Sequence, residues 1–118
     1  MGLKVYTYKN CGTCRKALKW LDEHEVPYMQ IPIRVRPPTK TELRKMLGFY
    51  DGDIKKLFNS SGADYKTLNL KDEIPKMSRA EAIDLLNRNG NLVKRPFALS
   101  GESGTVGFKE SDWSELFL

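Results

Sequence analysis

Polar and hydrophobic positions alternate along Leu3-Lys-Val-Tyr-Thr-Tyr8, a run rich in β-branched and aromatic residues that predicts a strand. The polar turn Lys9-Asn10-Cys11-Gly12 ends it. From Cys14 the period changes: Cys14, Ala17, Leu18 and Leu21 recur at i, i+3, i+4 and i+7, so a helix with one face on a core is expected, with Trp20 just beside the stripe. Tyr28-Met-Gln-Ile-Pro-Ile33 is a short apolar segment interrupted by Pro32, which cannot donate to a ladder, and it reads as a strand with an exposed edge. The opening unit is β-α-β.

Arg36-Pro37-Pro38 breaks the chain, and Thr39 with Glu42 forms a capping box that opens a helix carrying Leu43, Met46 and Leu47 on one face. Gly48 and Asp51-Gly52 punctuate the chain after that helix. Ile54, Leu57 and Phe58 suggest a short helix, Asn59-Ser-Ser-Gly62 breaks again, and Tyr65 and Leu68 suggest another helical turn. Ser78 and Glu81 make a second capping box before Ala82, Ile83, Leu85 and Leu86, with Gly90 placed as a C-terminal cap. Arg95-Pro96 then leads into Phe97-Ala-Leu99, a turn from Ser100 to Gly104, and Thr105-Val-Gly-Phe108, which together predict a hairpin. In the tail, Trp113, Leu116 and Phe117 stand at helical spacing and are expected to pack on the sheet. The sum is an α/β fold of thioredoxin-like layout, a βαβ-ββα sheet core with an inserted helical subdomain. Read as one domain, its core takes in roughly residues 1–37 and 91–118, and its insert roughly residues 38–90.

The 118 residues suffice for one hydrophobic core and fall short of two ordinary domains. Hydrophobic residues make up 40% and charged residues 30%, with no long apolar run, which excludes a disordered or membrane-spanning chain. Nothing near Met1 resembles a signal peptide, so a cytoplasmic location is the default expectation. The net charge of +5 suggests affinity for anions. The basic residues are nonetheless spread along the chain without helix-turn-helix or zinc-finger spacing, so direct nucleic-acid binding is not expected.

Only two cysteines occur, in Cys11-Gly12-Thr13-Cys14, and in a reducing compartment such a pair is more often catalytic, sensing or metal-binding than a structural staple. A thiol acts as a nucleophile only as thiolate, and the ordinary value of about 8.5 leaves little of it at neutral pH. A strand ending near Tyr8 and a helix beginning near Gly12 put Cys11 at a helix N-terminus, where unpaired N–H groups and the macrodipole stabilise negative charge. Lys9, Arg15 and Lys16 add positive charge nearby, Thr13 lies within the same turn, and Gly12 lets the chain turn closely around the sulfur. Cys14, one helical turn on, is near enough to attack a mixed disulfide formed at Cys11, and its place on the apolar stripe makes it the more buried of the two. Two blander readings compete. Half a zinc site lacks its other half, since the sole histidine, His24, lies at the far end of the same helix, so no metal is expected; a pair of small buried hydrophobes fits the strand-turn-helix context poorly.

With Lys9-Asn-Cys-Gly-Thr-Cys-Arg-Lys16 in a βα turn, Leu92-Val-Lys-Arg-Pro-Phe97 further on, and Val106-Gly-Phe108 before a terminal helix, the chain resembles the ArsC/Spx family over essentially its whole length. That family includes glutaredoxin-coupled arsenate reductases and Spx-type redox-controlled transcription regulators. The resemblance implies a reactive cysteine at Cys11, an anion-holding arginine at Arg95 and a cis proline at Pro96. It also implies no bound cofactor, with glutathione and glutaredoxin, or thioredoxin, as electron donor, and a monomer acting on a small oxyanion or a thiol or disulfide substrate with a redox partner protein. Arsenate reductases use three arginines in the oxyanion pocket, yet Phe58-Asn-Ser-Ser-Gly-Ala63 and Gly104-Thr-Val-Gly-Phe108 contain none, so only Arg95 matches. Those enzymes usually carry a serine where Cys14 stands, and a second cysteine favours an internal disulfide of the Spx kind. Spx-type regulators grip the RNA polymerase α subunit through a surface around a glycine in the insert; Gly52 is the match, although an Asp-Gly pair is also an ordinary turn signal.

Overall fold

The structure is a computed structural model and describes residues 2–118. Four strands form one mixed sheet in the order β2-β1-β3-β4: β1 (Leu3–Thr7), β2 (Tyr28–Pro32), β3 (Phe97–Leu99) and β4 (Gly104–Val106). β1 pairs in parallel with β2 and antiparallel with β3, and β3 pairs antiparallel with β4. β2 lies at one edge, as Pro32 led us to expect.

Strand alternation sorts the core into two layers. Leu3 and Val5 of β1, with Ala98 of β3, face Ala17, Trp20 and Leu21 of helix α1 (Gly12–Glu23) and Trp113 of helix α6 (Glu110–Phe117). Tyr6, Phe97 and Leu99 face the other way, onto Leu43, Met46 and Leu47 of α2 (Lys40–Phe49) and Ile83 and Leu86 of α5 (Arg79–Arg88). Two short helices, α3 (Ala63–Thr67) and α4 (Leu70–Glu73), and 3-10 turns at Ile54–Leu57, Ile74–Lys76 and Gly90–Leu92 complete the segment between β2 and β3. This is the thioredoxin-like βαβ and ββα arrangement, with α1 and α6 on one face of the sheet and α2 and α5 on the other. Both capping boxes form: Thr39 with Glu42, and Ser78 with Glu81, each pair satisfying two N–H groups that a helix start leaves open.

Four local expectations are corrected. Tyr8 leaves the β1 ladder, so its side chain is free to enter the site. On α1 the large indole of Trp20 is buried and Leu18 is only partly so, because Trp20 stacks edge-on against Trp113 and Phe108 and claims the sheet-facing position. Leu116 stays exposed, while its α6 neighbours Trp113 and Phe117 pack against the core. Gly90 does not cap α5, whose C-cap is Asn89 in extended conformation; a Cβ at Gly90 would collide with the carbonyl oxygen of Ile33, so glycine is required there by close backbone approach.

Candidate functional site

β1 delivers the chain to the sheet's end, and Tyr8-Lys9-Asn10 turns it into α1. The Cys11 N–H donates to the Tyr8 carbonyl at 3.0 Å, closing the turn, and Arg15 Nη1 donates to the Lys9 carbonyl at 2.9 Å, bracing it from outside. Cys11 is the N-cap residue, with extended backbone, and its Sγ accepts the N–H of Cys14 at 3.3 Å. Serine, threonine, aspartate and asparagine fill this position best, and sulfur is a weak acceptor. A cysteine here gives up capping strength and places its sulfur at the positive end of a helix, the position that most favours negative charge.

Both thiols are free, Cys11 half-buried and Cys14 buried. Burial pushes the Cys14 thiol up to about 12; the Tyr8 backbone opposes it, the hydrogen bond and proximity to Cys11 add to the rise, and the Arg95 charge opposes least. Cys14 therefore keeps its proton at neutral pH, while Cys11 holds the sulfur that faces outward.

Cys11 opens into a groove of about 660 Å³. Thr13 and Arg95 line it, as does Tyr50, whose hydroxyl accepts the Val106 N–H at 3.0 Å and lies 3.1 Å from the Thr105 hydroxyl, tying the end of α2 to β4. Arg95 precedes Pro96 through a cis peptide bond. Its guanidinium carbon lies 5.1 Å from the Tyr8 ring centroid, and its Nη1 is buried with no hydrogen-bond partner among the described residues. A buried donor without an acceptor is costly, and an anion in the groove would satisfy it.

Cys11, Thr13 and Arg95 thus meet in one groove with Cys14 beneath. Lys9 is exposed and lines a neighbouring cleft on the β2 side. The Arg15 guanidinium is committed to the turn. At Gly12 an added Cβ would meet nothing nearer than Arg15 Nη2 at 3.9 Å among residues other than its two chain neighbours. Gly52 lies outside the groove, in a turn after α2 where its φ of +80° and the Arg79 guanidinium packed over it account for the glycine. Among the described residues, no group of three or more His, Cys, Asp or Glu side chains is placed to hold a metal ion, and no helix is long and apolar enough to cross a membrane.

Sequence reasoning missed the importance of Tyr8, and of Lys56, Asn59, Lys94 and Lys109, which line the groove from three separate segments. The one available signal was an aromatic residue at the last strand-like position before the cysteine turn. Arg34 Nη1 donates to the Tyr8 hydroxyl at 2.7 Å, Asn10 Nδ2 does so at 3.2 Å, and the Arg34 guanidinium carbon stands 4.8 Å from the ring centroid. The Asn10 hydrogen bond, followed by the Arg34 and Lys9 charges, holds the Tyr8 phenol below its usual value.

The model of the ArsC family matches residues 6–116. YusI of Bacillus subtilis, named only as an uncharacterized protein, is 47% identical over 115 residues, covering 98% of both chains. The global transcriptional regulator Spx of Enterococcus faecalis is 30% identical over 111 residues, covering 93% of this chain and 82% of the regulator. A solved structure described as a possible arsenate reductase from Streptococcus mutans is 35% identical with a TM-score of 0.87, covering 95% of this chain and 97% of that one. With the family model matching nearly the whole chain and relatives of this identity covering it, the chain belongs to the ArsC family.

Proposed function

We propose that this chain is a cytoplasmic thiol–disulfide oxidoreductase similar to the glutaredoxin-coupled arsenate reductases, with Cys11 attacking, Cys14 resolving and Arg95 holding the anion. The observation that carries the reading is the Cys11 sulfur at the N-cap of α1, accepting the Cys14 N–H, with the Cys14 thiol buried one turn behind it. With arsenate, the Cys11 thiolate attacks arsenic and expels an oxygen as water, forming a sulfur–arsenic bond. Cys14 then gives up its proton and attacks Cys11 Sγ; the sulfur–arsenic bond breaks with its electron pair going to arsenic, which leaves as arsenite. Two electrons have passed from the two thiols, which remain as a Cys11–Cys14 disulfide, and a dithiol or glutathione-linked donor returns them. Arg95 is the only arginine of the groove, and Lys56, Lys94 and Lys109 supply its remaining cations.

The test is arsenate turnover by the purified protein with glutathione and glutaredoxin, beside Cys11→Ser and Cys14→Ser. Turnover above a thiol-only control, abolished in Cys11→Ser, is expected. A rate no higher than that control removes arsenate as the substrate.

A second reading, favoured by the similarity to an Spx regulator and by the presence of Cys14, is a redox switch that binds the RNA polymerase α subunit when its disulfide forms. Capture of the α subunit that responds to neither oxidation nor Gly52→Arg counts against it.

A further inference from the structure

Beside the Cys11 groove, on the β2 side of the turn, lies a second cleft of about 760 Å³ lined by Tyr8, Lys9, Asn10 and Arg34, among others. Tyr8 and Asn10 line both, so the two adjoin at these residues. Two guanidiniums are gathered on that ring: Arg95 from the Cys11 side and Arg34 from the β2 side. Like charges repel, and among the described residues neither guanidinium is paired with a carboxylate. The ion pairs among the described residues draw their cations from Lys4, Lys40, Lys76 and Arg88, none of them from either cleft. Asp112 is the one carboxylate lining the Cys11 groove, and the β2-side cleft has none. Such a concentration of unneutralised charge, with the Arg95 Nη1 donor unused, is complementary to an anionic ligand.

We infer that the β2-side cleft is an anion subsite, in which Arg34, held by the Tyr8 hydroxyl, receives a carboxylate of a thiol or disulfide substrate whose sulfur stands at Cys11. The inference rests on the thiol chemistry proposed above and adds the substrate class: an organic thiol or disulfide with a carboxylate several bonds from its sulfur. Tyr8 is the positioning residue, since its ring carries both guanidiniums and its hydroxyl fixes one. An inorganic oxyanion, by contrast, is small enough to be held at Arg95 alone.

The probe is a pair of chromogenic disulfides reacting with the reduced protein: dithiobis-nitrobenzoate, which carries ring carboxylates, and dithiodipyridine, which is uncharged. The ratio of their rate constants at Cys11 cancels the intrinsic reactivity of the thiol. Loss of one charge-assisted contact in Arg34→Gln is expected to lower that ratio about tenfold, and Tyr8→Leu to lower it at least as much. Tyr8→Phe, which keeps the ring and loses the hydroxyl, is expected to fall between. Lys19→Gln removes an equal charge from the exposed face of α1 and should leave the ratio within about twofold, separating local contact from general attraction. A ratio unmoved by Arg34→Gln and Tyr8→Leu, with both probes reacting fast, overturns the subsite and leaves the thiol chemistry standing. Slow reaction with both probes removes the thiol chemistry and the subsite with it.

Discussion

The backbone N–H of Cys14 points back at the sulfur of Cys11, 3.3 Å away, so the residue beneath the site also stabilises the one that opens it. The contact is made by main chain and therefore survives replacement of the Cys14 side chain. Cys14→Ser is accordingly expected to leave Cys11 alkylation by iodoacetamide within about threefold of the parent rate, whereas a Cys11 held mainly by the Cys14 thiol would slow by about tenfold or more. Site-resolved mass spectrometry distinguishes these outcomes.

Arg95 acts on the Cys14 thiol through its charge and lines the groove into which Cys11 opens. Arg95→Gln is expected to slow Cys11 alkylation at pH 7 several-fold, because the guanidinium that would face the anionic sulfur across the groove is gone. Arg95→Lys should recover only part of the loss, because an ammonium keeps the charge but lacks the flat fork that lies over Tyr8. Equal rates for parent and Arg95→Gln would show that the guanidinium serves something other than the sulfur.

Burial of Cys14 has a consequence for stability. Its thiol titrates near 8.5 in an unfolded chain and is raised to about 12 in the fold, so the folded state holds the proton more tightly. This contribution is complete below about pH 8.5 and is lost as pH climbs from there toward 12. Urea unfolding of the reduced protein between pH 7 and 10 should show an alkaline decline that is shallower in Cys14→Ala; identical slopes would contradict the assignment.

Gly90 and Trp113 test the frame that positions the site. Gly90→Ala sets a methyl group into the Ile33 backbone and is expected to cost about 3 kcal/mol or more, beyond the roughly 1 kcal/mol of a glycine that merely ends a helix. Trp113 is fully buried, donates Nε1–H to the Gly107 carbonyl at 3.1 Å, and packs edge-on against Trp20, Phe108 and Phe117. Trp113→Ala is expected to cost about 3 to 5 kcal/mol by urea denaturation.

How legible the molecule was in its sequence depended on range. Both capping boxes and the edge proline of β2 are local signals, and each is found where the pattern placed it. Gly90 was misread because its neighbour is Ile33, far away in sequence, and nothing near residue 90 announces that approach. Trp20 took the place assigned to Leu18 for a related reason: its partners, Phe108 and Trp113, come from the other end of the chain. At the site, the cysteine turn and Arg95 were readable from motif and resemblance. Tyr8 and Arg34 were not, since their meeting depends on β1 and β2 ending side by side in a parallel pair.

The central claim is that Cys11 attacks and Cys14 resolves, and trapping tests it most directly. Reduced parent and Cys14→Ser proteins are mixed with a stoichiometric organic disulfide, quenched with acid and weighed intact. The account predicts a parent protein lighter by two hydrogens, carrying a Cys11–Cys14 disulfide, and a Cys14→Ser protein that accumulates one mixed disulfide mapped to Cys11. Modification of Cys14 ahead of Cys11, or a parent protein that keeps its mixed disulfide unresolved, would contradict it.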